Sequence, residues 1–214
     1  MQTTADYMAR TESAVRKLFE GIESYVGLLA PIRDTTYVSG QVDLDKFRAD
    51  YDVWAERNAE ALARSRRAQE QYVAESFAMS TLCGAVLQVA AKAIECYSTN
   101  QEVPTDWRHV IPTDHPAARF CIGRPVRGVP EGLVVYAGRN QHTHYNEGKL
   151  KKVNEAIFDR IARFDEPASL RGHRDPALDL QNPLIDSFAS NITYVLGWRS
   201  YENYSRDLRQ MLGL

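Results

Sequence analysis

Three residues within six positions, Arg139, Asn140 and His144, combine the side-chain types that cleave a phosphodiester without a metal. A guanidinium grips phosphate oxygens through paired N–H donors. An imidazole titrates near neutral pH and so serves as base or acid, and an amide offers hydrogen bonds. Cleavage of RNA by this route needs a base for the 2′-hydroxyl proton, a cation for the phosphorane and an acid for the leaving 5′-oxygen. Leu133, Ala137, Asn140 and His144 follow an i, i+4, i+7, i+11 pattern, which places them on one stripe of a helix. Two polar groups thus continue an apolar face, where polar groups cost free energy unless paired or used. Arg139 and His144 would stand about 140° apart on an ideal helix. One helix converges them poorly, and this predicts a homodimer that pairs two such helices.

Arg139-Asn140-Gln141-His142-Thr143-His144 resembles the Arg-polar-x3-His motif of the HEPN superfamily, and Val134-Val135-Tyr136-Ala137-Gly138 matches the small and apolar residues that precede it there. The similarity covers roughly residues 75–165. It implies an α-helical bundle with the motif on a late helix, catalytic roles for Arg139 and His144, an orienting role for Asn140, and a site shared across a homodimer. Many HEPN proteins are RNA-cleaving toxins or defence effectors, so the resemblance also implies RNA as substrate and a neutralising antitoxin or regulatory partner protein. One subgroup carries a Tyr two residues after the His; here Tyr145 follows His144 directly and Asn146 holds that place. The alternative expectation is a non-catalytic helical module that binds nucleotides, RNA or a partner protein, with the same residues in a buried polar network.

Around the motif, Arg119–Lys152 holds seven basic residues against two acids in a chain of net charge −2. Arg124, Arg127, Lys149, Lys151 and Lys152 are the candidate contacts to an RNA backbone; a solvated face is the plain alternative. His142 and His144 form an H-x-H pair that diverges by about 200° on a helix, so no metal site is expected. Glu95, on the polar side of a buried helix, reads as a solvated or salt-bridged carboxylate within reach of the groove. Tyr194, Trp198, Tyr201 and Tyr204 make an aromatic stripe, read as packing before base stacking. No Walker loop, dinucleotide-binding glycine pattern or Ser-His-Asp order is present, and no cofactor is expected.

The elements that must carry these groups read as helices throughout. Val15, Leu18, Phe19, Ile22, Val26 and Leu29 make a stripe from about Thr4 to Ala30, ended by Pro31. A second stretch from Asp43 to Tyr97 has a polar middle, Glu56–Gln71, and reads as two helices, the second the most buried in the protein. Pro and Gly punctuate 98–129, a connection with at most a short helix. Pro130 opens the motif helix, which runs on to Tyr145, and Asn146-Glu147-Gly148 ends it. Lys149–Phe164 forms another amphipathic helix, and after a loop Asn182-Pro183 starts a last helix to Leu212. The expected fold is all-α: one domain over 1–214, an antiparallel bundle of HEPN type at about 75–165, an N-terminal helical arm at about 4–70 and a C-terminal helix at about 183–212.

Composition sets broad bounds. At 44 % hydrophobic and 25 % charged the chain is neither disordered nor collagen-like. No uninterrupted apolar run of the length of a membrane span is evident, nor a basic-then-apolar leader at Met1–Asp6. Cys83, Cys96 and Cys121 lack metal-type spacing, and Cys83 and Cys96 read as core fillers. A cytoplasmic location and no membrane partner are the expectation.

Overall fold

A computed structural model describes residues 3–28, 35–147, 150–163 and 173–214. Among them lie seven α-helices and one two-residue β-ribbon, so the protein is all-α. Pro31 and Gly148, expected as helix breakers, fall outside the described residues. The chain divides into two compact units, Gly21–Met79, and Met1–Glu20 together with Ser80–Leu214.

The first unit takes the end of α1 (Thr4–Gly27), all of α2 (Leu44–Arg57) and the first half of α3 (Ala59–Tyr97). Asp43 caps α2, its Oδ1 accepting from the amides of Asp45 and Lys46 at 3.0 and 3.3 Å, which satisfies donors the first turn leaves free. Tyr37 packs edge-on against Phe47 and Tyr51 and tilted against Trp54. The break between α2 and α3 falls at Asn58, ahead of most of the polar middle, where the Asn58 side chain turns back to the Trp54 carbonyl at 2.7 Å. Within α3 an 18-residue window has a mean hydropathy of 1.5, enough for a membrane span by length and composition. More than half of that window, 56 %, is buried inside the protein.

The second unit is built around α4 (Glu131–Thr143). Its start is set by a tight hairpin, β1 (Pro125–Val126) paired antiparallel with β2 (Val129–Pro130). Arg127 and Gly128 both adopt positive φ, 49° and 77°, the conformation of a two-residue turn that matches strand twist. Every residue from Glu131 to Gly138 is buried, so α4, not α3, is the most enclosed helix. It touches α5 (Lys152–Ala162), α6 (Ala189–Val195), the hairpin and a 3-10 turn at Pro116–Phe120. Small residues permit this closeness: a methyl group at Gly138 would lie 2.7 Å from Ile192, and one at Gly84 would lie 2.0 Å from the His142 ring.

The start of α1 belongs here too. Thr3 and Asp6 exchange backbone-to-side-chain hydrogen bonds of 3.0 and 3.1 Å, a reciprocal cap. Met8, Val15 and Phe19 then recur on one buried face. The expected single helix from Asn182 to Leu212 is two helices. Asn182 heads only an Asx turn onto Leu184; α6 begins at Ala189 and is ended by Gly197 at φ 76°. Ser200 caps α7 (Tyr201–Met211) through the Asn203 amide. Trp198, Tyr201 and Tyr204 of the aromatic stripe are buried while Tyr194 is exposed, so the stripe is packing. Cys83 fills the core as expected, but Cys96 is exposed. Burial pushes the Cys83 and Cys121 thiols up to about 11.

Candidate active-site groove

Arg139 and Asn140 lie in the last turns of α4, and His144 is the residue that ends it. His144 has φ −119° and ψ 24° and donates its amide to the Asn140 carbonyl at 3.0 Å. The helix was expected to continue to Tyr145. It stops at Thr143 instead, and His144, just past its end, leaves the helical backbone conformation. Arg139, Asn140 and His144 all line one open groove of about 670 Å³ within a single protomer. The apolar face of α4 is covered by its own chain.

Each of the three has a partner. Arg139 Nη2 donates to Glu95 Oε1 of α3 at 2.6 Å, while its Nε is buried with no hydrogen-bond partner. Glu95 also pairs with Lys92 at 3.5 Å, and Arg119 donates to the Glu95 backbone carbonyl at 2.8 Å. Asn140 Nδ2 donates to Oδ1 of buried Asn154 in α5 at 3.2 Å. His144 Nδ1 lies 2.6 Å from Glu147 Oε1, with the His144 side chain 47 % exposed. A carboxylate only accepts, so Nδ1 carries the hydrogen, and in the neutral ring Nε2 holds the lone pair. That is the base-and-orienter arrangement of acid–base sites. Glu95 is thus the salt-bridged carboxylate that sequence reasoning allowed for. Glu147, Asn154 and Arg119 were missed; only Glu147, one helical turn from His144, carried a local signal.

The residues between the motif positions do structural work. Gln141 is buried and clamps the chain before α6, donating to the Asp186 carbonyl at 2.8 Å and accepting from the Phe188 amide at 2.9 Å. His142 points to Ser187 Oγ at 2.8 Å, and burial holds its imidazole below the usual range. The two histidines therefore diverge, and among the described residues no three His, Cys, Asp or Glu gather as metal ligands.

No known protein family, curated protein or solved structure matches this chain.

The basic strip is not one surface. Lys151 rims the groove, whereas Lys152 lines a neighbouring cavity of about 710 Å³ that shares His144. Lys149 falls outside the described residues. Arg124 is drawn to Glu131 and Asp207, and Arg127 to Asp175 at 2.8 Å and the Ile161 carbonyl at 2.9 Å. Neither lines the groove. Closeness in sequence placed these cations in one strip; buried and half-buried acids from distant segments claim two of them.

Proposed function

We propose that the protein is a metal-independent endoribonuclease of HEPN type, acting from the groove at the end of α4. The observation that carries this is the meeting of Arg139, Asn140 and His144 on one open groove, with His144 held by Glu147. In this reading His144 Nε2 takes the 2′-hydroxyl proton, and the 2′-oxygen attacks the adjacent phosphorus. Arg139 stabilises the charge of the phosphorane, and Lys151 and Arg119 hold flanking phosphates. The P–O5′ bond breaks, the imidazolium returns its proton to the 5′-oxygen, and a 2′,3′-cyclic phosphate remains. The HEPN-type bundle, a cytoplasmic setting and a neutralising partner protein belong to the same proposal.

One observation favours the second reading, a non-catalytic nucleotide- or protein-binding module: the Arg139 guanidinium is already met by Glu95. Incubation of total RNA with the protein in excess EDTA separates the two. Cleavage with cyclic phosphate ends, lost in His144→Ala, supports the ribonuclease; intact RNA, or cleavage that needs Mg²⁺, overturns it.

A further inference from the structure

Two acids are buried together where α4 begins, away from the groove. Glu131, the first residue of α4, is 2 % exposed, and Asp207 of α7 is 3 % exposed. From the segment before β1, Arg124 faces both, its Nη2 lying 3.1 Å from Glu131 Oε1 and 3.3 Å from Asp207 Oδ2. From α7 and the loop before it, Arg206 Nε and Trp198 Nε1 donate to Asp207 at 3.0 and 3.2 Å. Glu131 Oε1 itself accepts no hydrogen bond. Gly123, at φ 86°, closes the pocket: a methyl group there would lie 2.9 Å from Glu131 Cβ and 2.8 Å from Met211.

Both buried carboxyls face the same Arg124 nitrogen. Held so close and away from water, two ionised carboxylates repel, which favours a proton on one of them. Asp207 accepts from Trp198, Arg206 and Arg124, so the proton sits on Glu131. We propose that this pair is a proton-locked latch holding α7 to the start of α4, tight while Glu131 holds its proton and weakened once the proton leaves.

Burial, opposed by Arg124 and reinforced by Asp207, pushes Glu131 from the ordinary 4.5 up to about 7. Between those values the folded chain holds a proton that the unfolded chain has released. Stability from the latch is therefore present at acidic pH and lost as pH rises through that window. His142 acts in the opposite sense, so the pH profile of the unaltered protein alone mixes the two.

The test compares wild type with Glu131→Gln, which keeps the shape and removes the titration. Denaturant unfolding should show the wild-type folding constant falling, relative to Glu131→Gln, on the order of tenfold or more between about pH 5 and pH 8. Infrared difference spectra should show a protonated-carboxyl band in wild type at about pH 6 that fades by about pH 8.5, as hydrogen-exchange protection in α7 declines. A flat ratio, or no such band, overturns the latch. Should Glu131→Gln not fold, the wild-type infrared titration decides alone: the band fading supports the latch, and its absence or constancy refutes it.

Discussion

Replacing Glu95 by Gln should tighten RNA binding, because Glu95 competes with phosphate for Arg139. The pair lies at 2.6 Å with side chains 21 % and 35 % exposed. Two unit charges at about 4 Å attract by roughly 1 kcal/mol in water and about 4 kcal/mol at an effective dielectric near 20. Partial exposure and the entropy of holding two long side chains push the net value toward the lower end. About 1.4 kcal/mol is then surrendered when a phosphate takes Arg139, which corresponds to about tenfold in Kd. The assay is fluorescence anisotropy with a 2′-O-methyl RNA, which lacks the attacking hydroxyl and so reports binding alone. The gain should vanish in the Arg139→Ala background, as a double-mutant cycle requires for a direct pair, and should shrink at high salt. Unchanged or weaker binding by Glu95→Gln would refute the competition and make Glu95 a support that orients Arg139.

Three further outcomes follow from the same geometry. His144→Ala should lower cleavage at least about a hundredfold while the melting temperature holds, since the ring is half exposed and bonded to the exposed Glu147; Glu147→Gln should cost less. Gly84→Ala should destabilise by about 1–3 kcal/mol through overpacking against His142, read as a drop of several degrees in Tm, with His142→Ala restoring part of it. Burial lowers the His142 pKa below its ordinary 6.5, so its contribution to stability is present above that value and lost as pH falls through it; His142→Gln should flatten this acid limb in thermal melts.

Local chemistry was legible in the residues themselves. The stripe through Val15 and Phe19 and the helix start near Asp43 follow from i to i+4 energetics, in which neighbours along the chain are neighbours in space, although Val26 of the expected stripe is exposed. The motif was legible for the same reason: Arg139, Asn140 and His144 lie within two helical turns. Helix ends were less so, because they are decided by balances of a fraction of a kcal/mol to about one. Gly197 outweighed the apolar periodicity that suggested a single C-terminal helix, and α4 stops at Thr143, short of His144.

What only the tertiary structure decided is the partner of each charge. Arg139 meets Glu95, 44 positions away, and Arg124 meets Asp207, 83 positions away. A side-chain pair of this kind contributes little to any local preference, so no periodicity announces it. It forms because packing brings two helices within hydrogen-bond reach and leaves the charges short of water, where each must find a counter-charge or give up its own. The sequence by itself named the groups able to do chemistry; folding determined that Arg139 reaches the groove already paired, and that Arg124, read as an RNA contact, is committed to a buried acid pair.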